Sequence, residues 1–166
     1  QFGYFLIIIY ISSCGVVTEN YYDFNHWSGT TNVEKVIKKK KKIRKLTVWN
    51  YTHNFFPNET ISELVNLKEL YIDSDTSIYL KIDAKKLSKF DHLQKLHLSK
   101  FSMDSFPEQL TNRNLEELFV SIDKLERLNT DFSTLQKLKK MSLIMEDLQH
   151  IDDQTKFPNS LNHLTL

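Results

Sequence analysis

Leu93-Gln94-Lys95-Leu96-His97-Leu98 places apolar residues at the first, fourth and sixth of six positions, and the chain returns to that arrangement again and again. It recurs as Ile43-Leu46-Val48 and Leu67-Leu70-Ile72 before this hexamer, and as Leu115-Leu118-Val120, Leu138-Met141-Leu143 and Leu161-Leu164-Leu166 after it. The first positions, 43, 67, 93, 115, 138 and 161, stand 24, 26, 22, 23 and 23 residues apart. Residues four and six of each unit differ by two, so in an extended segment both side chains point to one face. A string of amphipathic helices is the competing reading. It fails because neither the apolar sixth position nor the interval between units sustains a 3.6-residue spacing. Short strands stacked side by side, about 4.8 Å apart, are expected to close a core that no single unit buries alone.

With that internal spacing and that period, the chain resembles the leucine-rich-repeat proteins. The resemblance covers residues 43–166, as five full repeats and one truncated. It implies an α/β solenoid, with a parallel β-sheet on the concave face and short helical or irregular segments on the convex face. Consensus repeats carry an asparagine three residues after the third apolar position, where it bonds neighbouring loop backbones into a ladder. Tyr51, Asp75, Phe101, Asp123 and Glu146 stand there instead, which leaves backbone satisfaction at that corner open. An irregular subtype is expected, with a bulged loop around residues 74–83.

The return limbs carry their own apolar residues: Met103 and Phe106, Leu125 and Leu128, Leu148 and Ile151. Proline succeeds phenylalanine at Phe56-Pro57, Phe106-Pro107 and Phe157-Pro158, where a helix start or an extended entry needs no amide donor. Ile61, Leu64 and Leu67 suggest a short convex helical turn. Residues 15–42 read as tether and N-terminal cap, since the first strand of a solenoid otherwise exposes its edge. The aromatics Tyr21, Tyr22, Phe24 and Trp27 fall in this cap. Lys38 to Lys42, Arg44 and Lys45 fill the outer face of a degenerate repeat. An anionic-membrane or nucleic-acid patch is the alternative, but no stacking aromatics are interleaved in the run.

Phe5 to Ile11 is an unbroken apolar run, far short of the roughly 20 residues needed to span a bilayer. It fits the apolar part of an export signal over residues 1–14. Ile11-Ser12-Ser13-Cys14 resembles the lipobox of bacterial lipoproteins, which implies removal of the preceding peptide and acylation of Cys14. Cys14 is the only cysteine, so a disulfide within the chain is excluded. A general secretory signal and a buried first strand remain as alternatives. The chain begins at Gln1 and stops at Leu166 in mid-pattern, and is expected to be a segment of a longer protein.

Twenty-two basic residues against 21 acidic ones give a net charge of +1, so no global field draws the protein to nucleic acid. The histidines are scattered without metal-ligand spacing, and no catalytic or phosphate-binding motif occurs. No enzyme activity, cofactor, metal or small-molecule substrate is therefore expected. The family resemblance puts positions 2, 3, 5, 7 and 8 on the concave face. Position 5 reads Thr47, Tyr71, His97, Phe119, Ser142 and Thr165, and position 7 opens with Trp49 and Asp73. Position 3 alternates Lys45, Glu69, Lys95, Glu117 and Lys140, a charge ladder assigned to solubility and register. Exposed aromatics are what binding hot spots are made of, although self-packing of neighbouring rings is the alternative. Trp49, Tyr71, Asp73, His97 and Phe119 are the expected contacts to a protein or peptide ligand. The implied protein is a membrane-anchored interaction module of the bacterial cell envelope, or a secreted one. A spacer or adhesin stalk stays open, as do substrate-selecting repeats of an enzyme whose catalytic domain lies beyond Leu166.

Overall fold

The computed structural model describes residues 8–13, 16–21, 44–51, 64–74, 92–102, 106 and 110–166. Its central feature is one parallel sheet built from β3 (Lys45–Tyr51), β4 (Glu69–Ser74), β5 (Lys95–Ser102), β6 (Glu117–Asp123), β8 (Lys140–Met145) and β10 (His163–Thr165). The six strands lie in chain order across the sheet, so each connection carries the chain round to the next strand on the same side, a β-solenoid. Register matches the hexamer alignment: Leu46 pairs with Leu70, Leu70 with Leu96, Leu96 with Leu118, Leu118 with Met141 and Leu164 with Met141. A second, two-stranded parallel ladder joins β7 (Arg127–Leu128) to β9 (His150–Ile151) on the return limbs. Among the described residues there is no helix. The expected convex turn over Ile61–Leu67 shows only its end, where the Leu67 N–H donates to the Leu64 carbonyl at 2.9 Å. The expected loop beyond Ser74 and the lysine-rich limb up to Lys42 lie outside the described residues.

One turn is reused before successive strands. The N–H of four first-position leucines donates to the carbonyl three residues back: Leu67 to Leu64, Leu115 to Asn112, Leu138 to Leu135 and Leu161 to Pro158. Position 2 then carries a double acceptor. The Arg44 carbonyl takes the N–H groups of both Lys68 and Glu69, at 2.7 and 3.0 Å. Lys68, Gln94, Glu116 and Lys139 repeat that arrangement with the next turn. Stacking thus satisfies the backbone from one unit to the next, as a parallel ladder must.

Positions 1, 4 and 6 form the core: Leu67, Leu70, Leu93, Leu115, Leu138, Met141 and Leu143 are all at most 1% exposed. Position 8, expected to face solvent, does so at Lys100 on β5 but turns inward on β6 and β8. Ile122 is buried at 1% exposure and Met145 at 9%, because the two-residue period puts position 8 on the same face as 4 and 6. Two register shifts, between Val48 and Tyr51 and between Leu98 and Phe101, fit strands of unequal length together. At the second, Lys100 takes a left-handed φ of 61° and turns Phe101, fully buried, into the core opposite Ile122. The asparagine-ladder corner is therefore occupied at Phe101 by packed hydrocarbon.

Hydroxyls on the return limbs meet several carbonyls instead. Thr134 donates to the Leu110 carbonyl at 2.6 Å, Ser160 to that of Leu138 at 2.8 Å and Thr155 to that of Leu128 at 2.9 Å. Beside them runs a column of rings. Phe132 lies 5.7 Å from Phe106 and 5.9 Å from Phe157, ring centre to ring centre, one phenylalanine to a turn. The Phe106 and Phe157 rings are the ones that the Phe-Pro pairs marked.

Near the start of the chain, β1 (Ile8–Ser13) and β2 (Val16–Tyr21) form an antiparallel hairpin. Cys14, the expected acylation site, lies outside the described residues, as do Gly15 and residues 22–42 of the expected cap and Ile43 of the first repeat.

Candidate functional site

The face of the sheet turned away from the core brings together three of the five expected contact residues. Tyr71, His97 and Phe119 occupy equivalent positions on β4, β5 and β6, paired in register. Their rings form a continuous stack. Tyr71 and His97 stand 5.7 Å apart with planes tilted 33°, and His97 and Phe119 stand 4.0 Å apart at 16°. Offset contacts of this kind contribute about 0.5–1.5 kcal/mol each beyond area burial. All three rings are half-buried, so part of each remains open to solvent. Self-packing and outward display coexist in one column.

Lys45 extends the stack at one end. Its Nζ lies 4.6 Å from the Tyr71 ring centre and 3.4 Å from Glu69 Oε2, while the Tyr71 hydroxyl donates to that same oxygen at 3.3 Å. Burial, reinforced by the Glu69 and Glu117 charges and by the bond to Glu69, pushes the Tyr71 phenol up to about 12. It stays a protonated donor throughout the physiological range.

Asp73 sits beside the stack rather than in it, paired with Ser99 across β4 and β5. Its Oδ1 is buried without a hydrogen-bond partner and lies 3.7 Å from Lys100 Nζ. The left-handed backbone that turns Phe101 inward thus also fixes where this lysine starts. Trp49, expected one column over, falls within the irregular stretch of β3 between Val48 and Tyr51, where regular pairing with β4 is interrupted. Its side chain is not among those described.

Over β6, β8 and β10 the aromatic column gives way to small residues. Phe119 pairs with Ser142, and Ser142 with Thr165. The drop in side-chain height leaves a shallow depression of about 210 Å³ against Phe119, bounded by Lys95, His97, Glu117, Lys140, Ser142 and His163. Glu117 bridges both lysines, with Oε2 3.5 Å from Lys95 and Oε1 3.5 Å from Lys140. Hexamer spacing identified the column but not this depression, because the hollow is made by the small side chains next to the rings. The loss of bulk at Ser142 was the available signal.

His97 carries a pH signature. Burial holds its imidazole below the usual histidine range, with the Asp73 carboxylate opposing. A pKa depressed in the folded state means that the unfolded chain takes up the proton first. Stability is then intact above the ordinary value of about 6.5 and declines as pH falls through the folded value. Urea unfolding midpoints between about pH 7.5 and pH 5 are expected to drop more for the wild-type chain than for His97→Phe. Equal drops would show that His97 does not carry the effect.

Among the described residues, no three or more His, Cys, Asp or Glu side chains gather as a metal site, and no helix is long and apolar enough to cross a membrane. No family model matches the chain, and no curated protein or solved structure shows significant similarity to it.

Proposed function

We propose that this chain is a protein-interaction module of leucine-rich-repeat type, displayed on a membrane-anchored lipoprotein of the bacterial envelope. The observation that carries the binding part is the half-buried stack Tyr71, His97 and Phe119 opening onto a depression on the solvent face of the sheet. A strand position facing solvent has no packing need for large rings, and partly exposed aromatics are the commonest anchors of protein contacts. Hexamer spacing and period support the repeat family, and the run Phe5–Ile11 with Ser12, Ser13 and Cys14 directly after it supports the anchor. The ligand is a protein or an extended peptide, with Tyr71, His97 and Phe119 as contacts and Trp49 and Asp73 at the margin. The module is read as a binder and not an enzyme, on a sequence that carries no catalytic motif.

A second reading of the N-terminus has its own observation. The β1–β2 hairpin pairs Ser13 with Val16, so processing at Cys14 would part its two strands. If the hairpin persists in the mature protein, residues 8–21 serve as a structural cap, and the module is secreted or otherwise located.

Tyr71→Ser combined with Phe119→Ser tests the binding face. Peptides selected from a random display library on the immobilised wild-type chain are expected to lose at least about tenfold in affinity, equivalent to about 1.4 kcal/mol. The circular dichroism spectrum should stay unchanged, since neither ring is in the core. Selected peptides that bind the double variant as well as the wild type would sink the proposal.

A further inference from the structure

The charged column beside the ring stack has an imbalance at one end. Lys45, Glu69, Lys95, Glu117 and Lys140 are paired in register across five strands. Lys45 is neutralised by Glu69 at 3.4 Å. Lys95 and Lys140 share the single carboxylate of Glu117, one on each oxygen. The depression against Phe119 therefore has two ammonium groups and one carboxylate on its rim, together with His163. On the neighbouring column Lys139 has its own partner in Glu116 at 3.1 Å, which leaves the local excess of positive charge at the depression. Lys95 and Lys140 are partly open to solvent, with 37% and 63% of their side chains exposed. Each has donors to spare beyond one 3.5 Å contact. The wall beside them is a half-buried phenylalanine ring, and Ser142 leaves room above the floor.

We propose that this depression takes an extended acidic peptide, seating an apolar side chain against Phe119 and a neighbouring carboxylate between Lys95 and Lys140. The inference rests on the interaction-face reading and names the chemistry of its partner. A peptide running across the strands follows the ring column with the lysine column alongside it, so side chains that alternate between apolar and acidic can present one set to each column. The carboxylate competes with Glu117 for donors that it holds at the long end of ion-pair distance, so the site is filled without breaking a tight pair. Charge complementarity of this kind acts chiefly on specificity and encounter rate.

The test uses short fluorescein-labelled peptides that alternate phenylalanine with glutamate, glutamine or lysine, titrated by anisotropy against the full chain. The glutamate peptide is expected to bind at least about tenfold more tightly than the glutamine peptide, and the lysine peptide least. The preference should shrink as salt rises from about 50 to about 300 mM, since the pairs lie at the surface. Lys95→Gln with Lys140→Gln should abolish it, and Lys95→Arg with Lys140→Arg should retain it. Circular dichroism confirms the fold of both variants. Equal binding of all three peptides, lost on Phe119→Ser, would overturn the acidic partner while leaving the interaction face standing. No binding of any of them, together with display-selected peptides indifferent to Phe119, would overturn both.

Discussion

Phe132→Ala is expected to lower the unfolding free energy by about 3–5 kcal/mol, the range for deleting a fully buried ring. Phe132 is 0% exposed and is the middle ring of the column that Phe106 and Phe157 complete. Truncation removes ring contacts to the turns on both sides at once, and a buried methyl group cannot refill the space. The backbone would keep its bonds, because the Phe132 N–H donates to the Lys156 carbonyl and its own carbonyl accepts from Leu135. The loss is therefore one of packing, large against the roughly 5–15 kcal/mol that stabilises a typical domain. Urea denaturation monitored by circular dichroism checks the magnitude. Hydrogen exchange should rise most between Leu110 and Lys156, since each unit of a stacked repeat leans only on its neighbours. A loss below about 1 kcal/mol would mean that the ring column is incidental to stability.

Cys14→Ser is expected to move the protein from the membrane fraction to the soluble one when the complete gene is expressed in a bacterial host. On the proposed reading, acyl chains on Cys14 contribute about 0.8 kcal/mol per buried methylene, and more than one chain makes the attachment durable. A serine at that position cannot form the thioether, so the change is close to all or none. Intact mass of the wild-type protein provides the companion measurement. Loss of everything before Cys14 with added acyl mass is the expected result. A mass that retains residues 1–13 on an unmodified cysteine would discard the anchor and favour the hairpin of β1 and β2 as a permanent cap.

Much of the architecture was legible in the hexamers. Their alignment predicts which residues stand side by side, and Leu46, Leu70, Leu96, Leu118, Met141 and Leu164 do so. That alignment works because strand pairing and core burial impose the same two-residue period on every unit. The column Tyr71, His97 and Phe119 was legible for the same reason. Features that depart from the period escaped. Position 8 was assigned to solvent by analogy with a family consensus, although its parity with positions 4 and 6 already pointed inward at Ile122 and Met145. The irregularity before Phe101 depends on a left-handed Lys100, and lysine carries no preference for that conformation. Hydroxyl bonds from Thr134, Thr155 and Ser160 link residues 22–27 apart, and serine or threonine in a loop does not announce its acceptor. The return limbs, expected to be helical or irregular, are turns and a short ladder wherever they are described.

The double-acceptor carbonyls at position 2 bear on how the molecule responds to load. Each of Arg44, Lys68, Gln94, Glu116 and Lys139 receives two N–H groups from the next turn. Tension applied along the stacking axis passes through every such junction in series, so each bears the full load and the weakest parts first. A protein tethered at one end and held by a ligand at the other would lengthen turn by turn, as an extensible coil. Each yielding turn would add length, so the strength of the weakest junction would cap the pull that the bound partner feels.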